Sequence, residues 1–235
     1  RGHARDFDHW ADQGAHGWSY ADVLPYFKRM ETWHGGPPSP YRGTHGPLHV
    51  TRGPRRNPLF NAFIKAGQQA GYAMTDDYNG ARQEGFGPME ATIHNGTRWS
   101  AANAYLRPAL HRPNLRLRTG AFVTRILFDG DRAVGVELED GERLHAGKEV
   151  ILAASNVGAA KLLLLSGVGP ADELRALGLP VVLDEPNVGR NLENHPGVNL
   201  QFTARYEDSL VSDLNLIGQA RLGLELLDLD GHPVG

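Results

Sequence analysis

The spacing of apolar residues changes several times along this chain, and each change marks an expected element. From Lys148 to Pro170 the sequence reads KEVILAASNVGAAKLLLLSGVGP, where Val150, Ile151 and Leu152 run into Ala153 and Ala154 without a polar interruption. A short continuous apolar run with β-branched residues is the pattern of a strand covered on both faces. The run ends in small residues, after which Ser155 or Asn156 is placed to cap a helix over Val157 to Leu165, with Gly167 as its left-handed stop. Strand, tight turn and helix make one βα half of a doubly wound sheet, and the bared N–H groups of such a helix can receive an anion. Val150–Ala154 is therefore expected beside parallel neighbours.

Before that run the pattern is β-like. Leu115 to Arg118, Ala121 to Phe128, Ala133 to Glu139 and Arg143 to His145 are short strand-like segments, punctuated by Asp129-Gly130 and Asp140-Gly141, both hairpin signals. They predict a β-meander. Nearer the start, Ser19 caps a helix through Asp22 to Glu31 that Pro25 kinks or restarts, and GGPPSP at 35–40 is a linker by composition. Pro47 to Thr51 reads as a strand. Asn57 caps a helix opened by Pro58, with Leu59, Phe60, Phe63, Ile64 and Ala70 on one face and Gly71 at its end. Residues 76–87, DDYNGARQEGFG, are turn-like, and Ser100 opens a short helix through Leu106.

After the organising helix, Asp172 to Leu177 makes a helix closed by Gly178, Pro180 to Leu183 a strand, and residues 184–196 a loop. Val198, Leu200, Phe202, Ala204 and Tyr206 then alternate with polar residues, the mark of a strand in an antiparallel sheet with one wet face. Asp213 caps a final helix through Leu216, Ile217, Ala220, Leu224 and Leu227.

Composition narrows the classes of function. The chain has 235 residues, 40% hydrophobic and 22% charged, ordinary proportions for a folded globular protein. A net charge of -3 gives no support for a nucleic-acid partner. The absence of cysteine excludes disulfides, thiolate metal sites and a cysteine nucleophile, and suits a reducing, cytoplasmic location. The longest unbroken aliphatic run, Leu162 to Leu165, is far shorter than the ~20 residues of a membrane span, so no transmembrane segment is expected. Because it starts at Arg1 without Met, the sequence is expected to be an internal piece of something longer.

Taken together these stretches resemble the glucose-methanol-choline (GMC) family of flavin-dependent alcohol oxidoreductases, most closely its choline-dehydrogenase-like branch. The resemblance rests on RGHARDFDHWA at Arg1, WSYADVLPYFKRME at Trp18, GPLHV at Gly46, QEGFGPM at Gln83 and GTRWSAANAYLRPA at Gly96. It continues through NLRLRTGAFVTRILFDGDRAVGVE at Asn114, the stretch from Lys148, and NVGRNLENHP at Asn187. The chain departs from the usual pattern at Ala154-Ser155 and Ala159-Ala160, where Ala-Gly and Ser-Pro are usual, and at Asn187, Glu193 and Asn194, where Gly, Gln and Asp are usual. The first of these departures lie close to where the family's flavin nucleotide passes.

The resemblance implies a mixed α/β fold: part of an FAD-binding doubly wound domain with its β-meander, plus parts of an antiparallel-sheet substrate domain. It divides the chain into an FAD-domain extension and linker (1–45), a substrate-domain segment (46–97), an FAD-binding segment (98–196) and the start of a second substrate-domain segment (197–235). It implies oxidation of a small primary alcohol, choline-like or other, with a His taking the hydroxyl proton and hydride passing to flavin. Val123 matches the family position whose backbone meets the adenine of FAD, and Ala154 with Ser155 match the end of the strand beside it. The family's opening G-x-G-x-x-G turn and its active-site His region have no counterpart in this sequence, so no catalytic residue is assigned. A central strand would bury four or five side chains at ~1.5–3 kcal/mol each, comparable with a domain's ~5–15 kcal/mol stability. The chain alone is thus expected to be inactive and without flavin. The alternative is a non-catalytic α/β module that binds a small ligand or a partner.

Other candidate residues have ordinary explanations. His45 and His49 would share a helical face and hold a metal, but Gly46-Pro47 between them argues against a helix, and no metal site is expected. His195 falls in a turn-rich loop where the backbone can satisfy it. Arg98 and Ser100 have the chemistry to contact a phosphate, yet a helix cap accounts for Ser100. The aromatics between Trp10 and Trp33 are expected to pack against one another.

Overall fold

The structure is a computed structural model that describes residues 1–53, 57–194 and 196–199. The expected strand from Val198 to Tyr206, the expected helix from Asp213 and His195 lie outside or largely outside the described residues. The chain divides into two units, one within Arg1–Leu115 and the other within Arg116–Leu200.

The first unit opens with α1 (Ala4–Asp12), where His3 and Asp6 form a reciprocal cap. Next comes α2 (Tyr20–Met30), capped by Ser19 and Asp22 in the same way and running through Pro25. Phe7 packs edge-on against Trp10 and Phe27, at ring separations of 5.3 and 5.6 Å, and Trp10 meets Trp18, so the early aromatics do form a packing cluster. Strand β1 (Glu31–Trp33) runs parallel to β2 (Leu48–Arg52), which pairs antiparallel with β3 (Glu90–Ala91). Between β2 and β3 lies α3 (Pro58–Gln69), capped by Asn57 through the Leu59 N–H. Its predicted apolar face is largely open, with Leu59, Phe60 and Phe63 exposed, while Ile64 is half-buried and the Phe63 ring meets Phe86 at 5.3 Å. Strands β4 (Ile93–His94) and β5 (Thr97–Arg98) close a hairpin over Asn95-Gly96, both at positive φ, as a two-residue type I′ turn requires. A π-helical turn at Ala102–Leu106 leads into α4 (Arg107–Ala109).

Charge sits at the centre of this unit. Arg42, 2% exposed, forms ion pairs with Glu31 at 3.0 Å, Asp77 at 2.8 Å and Glu90 at 2.9 Å, and lies 4.3 Å from the centroid of the Trp33 ring. Burial opposes its charge, but the Glu90 hydrogen bond and the three carboxylates outweigh that and hold the guanidinium above its ordinary pKa. Gly43 is needed beside it, because a Cβ there would collide with the carbonyls of Lys28 and Glu31.

The second unit contains the expected meander, β6 (Val123–Asp129), β7 (Arg132–Leu138) and β8 (Arg143–His145), all antiparallel. Gly130 and Gly141 take positive φ at its two turns, while Leu115 to Arg118 does not join the sheet. Helix α5 (Ser155–Leu165) packs on β6, and Gly167 ends it at φ +87°. Ser166, just past the helix, accepts a hydrogen bond from the Ile126 N–H at 2.8 Å and so ties helix to sheet. Strand β9 (Val168–Gly169) runs parallel to β10 (Leu183–Asp184), with α6 (Ala171–Ala176) between them and Gly178 beyond it at φ +71°. Of the predicted strand Pro180–Leu183 only Leu183 joins β10, which runs on to Asp184. Ile126, Leu138, Val168, Ala171 and Leu174 form the core.

The α/β class is as expected, but the organising strand is not formed. Val150–Ala154 has no strand conformation and no ladder partner among the described residues, and Ile151 is 81% exposed. A strand is a property of a pair: its N–H and C=O groups need a neighbouring chain, and no described segment pairs with it. The cap also differs. Helix α5 starts at Ser155 itself, after Ala154, and the Asn156 Oδ1 accepts from the adjacent Val157 N–H instead of bridging a full turn.

Candidate functional site

In the second unit, residues at the start of β6 and along α5 line a cavity of about 410 Å³. Ala121, Phe122, Val123 and Thr124 form one wall, and Ala154, Gly158, Lys161, Leu162 and Leu165 the other. The β6–β7 register shifts between Val123 and Arg125, a bulge that breaks the even ladder where the backbone borders the cavity. Gly158 keeps the helix wall low, since a Cβ there would lie 3.5 Å from the Ala154 Cβ. The cavity is mostly apolar, with one cation from Lys161. Such a slot suits a flat heterocycle with an anionic group at its edge.

Two of the three residues singled out by sequence, Val123 and Ala154, line this cavity together; Ser155 is not among its lining residues. Ser155 has φ +63°, and its hydroxyl donates to Asn156 Oδ1 at 3.2 Å. Phe122, Thr124, Gly158 and Lys161 join the site without any sequence signal of their own, because a helix wall becomes visible only once α5 is docked on β6.

The remaining candidates separate in space. Arg98 is exposed in β5, and the Ser100 hydroxyl accepts from the Asn103 N–H at 3.4 Å, consistent with a local turn. His45 is exposed and apart from His49, which instead meets His34 and His94. The His34 Nε2 and His49 Nδ1 are 2.7 Å apart in nearly parallel rings, and His94 stacks on His49 at 3.7 Å between centroids. Burial, with His94 and then His34 nearby, pushes the His49 imidazole below its ordinary pKa.

A family profile described as GMC oxidoreductase matches residues 1–197. The chain is 58% identical over 230 residues to an oxygen-dependent choline dehydrogenase of Brucella suis biovar 1, covering 97% of this chain and 42% of that protein. It is 54% identical, with the same coverage, to an oxygen-dependent choline dehydrogenase of Sinorhizobium fredii. The chain thus spans less than half the length of these curated relatives. Among solved structures, an FAD-dependent oxidoreductase from Chaetomium thermophilum superposes with a TM-score of 0.82 at 29% identity, over 100% of this chain and 44% of that one. Pyridoxine 4-oxidase from Mesorbium loti gives a TM-score of 0.70 at 31% identity, over 80% of this chain and 38% of that one. Among the described residues, no helix is long and apolar enough to cross a membrane.

Proposed function

Because the chain belongs to the GMC oxidoreductase family, we propose that the full-length protein is an FAD-dependent oxidoreductase that oxidises a small primary alcohol, choline or a close analogue, to the aldehyde. The observation that carries this reading is the convergence of Val123 and Ala154 on one apolar cavity. Its lining fits the adenine half of FAD: Phe122, Val123, Ala154 and Leu162 offer apolar surface, Gly158 leaves room, and Lys161 brings positive charge. The chemistry that FAD supplies when bound is acceptance of a hydride from the alcohol carbon. The part played by this chain is to bind and orient: the bulged start of β6 positions the heterocycle, Leu162 and Leu165 keep water from one side, and Lys161 balances negative charge. Neither the proton acceptor nor any other catalytic group is assigned within this chain. Choline is favoured by the naming of the relatives as choline dehydrogenases.

With this reading goes the four-part division at 1–45, 46–97, 98–196 and 197–235, in which two pieces of a flavin domain alternate with two of a substrate domain. The 235-residue chain by itself is expected to lack both bound flavin and alcohol oxidation. The test is to purify the full-length protein, record its visible spectrum, and measure aldehyde formation and oxygen uptake across a set of small alcohols. Bound-flavin absorbance with choline turnover is the expected result. A colourless preparation inert to every alcohol would favour the non-catalytic module instead.

A further inference from the structure

His34, His49 and His94 come from three separate places in the chain: just past β1, the second residue of β2, and the end of β4. Each offers a ring nitrogen, and those nitrogens all lie within 4.8 Å of one another. Among the described residues, the hydrogen bonding of these rings is confined to the His34–His49 contact at 2.7 Å, and no carboxylate belongs to the group. Trp99 closes one side, edge-on to His49 and His94 at 5.5 and 4.9 Å, while its indole N–H is held by the Pro47 carbonyl at 2.8 Å. His34 is exposed, which leaves the other side open to water.

Three imidazoles gathered without an anion are poorly arranged for carrying protons, since each added charge repels the next. They are well arranged as neutral nitrogen donors. We propose that His34, His49 and His94 form a binding site for a divalent first-row transition ion of the zinc or copper class, with water in the remaining position. Imidazole is a preferred donor for these ions, and three protein ligands with one open position is an established zinc arrangement. With metal–nitrogen distances of about 2.0–2.1 Å, tetrahedral ligands sit about 3.3 Å apart. The 2.7 Å His34–His49 pair must therefore open slightly, and His94 must turn out of its stack on His49. Both changes are side-chain rotations that leave β2 and β4 in place. The ion replaces the proton shared between His34 and His49.

The test uses the full-length protein, with zinc titrated calorimetrically and cobalt(II) followed by its visible absorption. The expected result is one ion per chain with a four-coordinate cobalt spectrum. His34→Gln and His94→Gln each weaken binding by more than the roughly 10–100-fold typical of losing an outer-shell partner. His45→Gln, which alters an exposed histidine outside the cluster, leaves binding unchanged. Far-UV circular dichroism confirms that the variants fold. Absence of binding, binding untouched by His34→Gln or His94→Gln in folded protein, or an equal loss in His45→Gln would each overturn the assignment. Flavin content and alcohol turnover do not enter these readouts, so failure here is distinguishable from failure of the oxidoreductase reading.

Discussion

Replacing Ser155 by glycine should stabilise the protein. Ser155 opens α5 at φ +63°, the left-handed region, where an L-residue pays about 1–2 kcal/mol through its Cβ. Glycine removes that strain but has more chain entropy to lose, roughly 0.5–1 kcal/mol. The hydrogen bond from the Ser155 hydroxyl to Asn156 is exposed and offsets little. The balance is a gain of about 0.5–1 kcal/mol for Ser155→Gly. Ser155→Val, with a β-branched side chain in the same backbone region, should lose about 1 kcal/mol or more. The assay is urea unfolding of the full-length protein, in which an unchanged slope with a midpoint shift of about a few tenths molar reports stability alone. Equal midpoints for all three proteins would show that residue 155 is not held left-handed and would refute the reasoning. In the family this position is usually glycine, so the serine here forgoes stability that the usual residue would provide.

Four other outcomes are open to measurement. Gly158→Ala should fit, with its Cβ 3.5 Å from Ala154, and firm α5 by roughly 0.5–1 kcal/mol; Gly158→Leu should fill the cavity and lower the flavin content of the purified protein, read by absorbance. Arg42→Met leaves Glu31, Asp77 and Glu90 without their shared cation and should destabilise by about 3–5 kcal/mol in denaturant unfolding. The Arg125 and then the Arg143 hydrogen bonds hold the Glu137 carboxyl below its ordinary pKa. Its contribution is therefore complete above the usual glutamate range and fades as pH falls through the lowered folded value; Glu137→Gln should flatten that acid limb in unfolding curves taken across pH.

Local signals in the sequence translated well into structure. Ser19 with Asp22, Asn57 before Pro58, and the Asp-Gly turns of the meander each encode their geometry within a few residues, and each is found where expected. Asn95-Gly96 carries an equally local signal for the β4–β5 hairpin, which the expected elements did not include. What failed was the inference from hydrophobicity to pairing: Val150–Ala154 has strand composition, but composition does not supply a neighbour. The same holds in part for α3, whose apolar stripe is plain in sequence while Phe86 covers only its Phe63 and Gly67 end and leaves Leu59 and Phe60 exposed. At the candidate site, Val123 and Ala154 were legible only through resemblance, and Lys161 only through the docking of α5. The histidine cluster was half visible, in His49, and its partners became clear only when β2, β4 and the residue after β1 came together.

The ionic hub around Arg42 also bears on how the first unit responds to temperature. Of its described side chains, only Phe7 and Ala104 are buried hydrophobics, against Glu31, Arg42, Thr75 and Asn79 among the polar ones. Hydrating apolar surface raises the heat capacity of an unfolded chain, whereas hydrating polar surface lowers it. A centre built from guanidinium and carboxylates therefore gives a shallow stability curve, with neither a sharp optimum nor a steep decline on warming. The penalty for desolvating those charges also shrinks as temperature rises. Heat should consequently loosen this part of the molecule gradually, while cold leaves it nearly untouched.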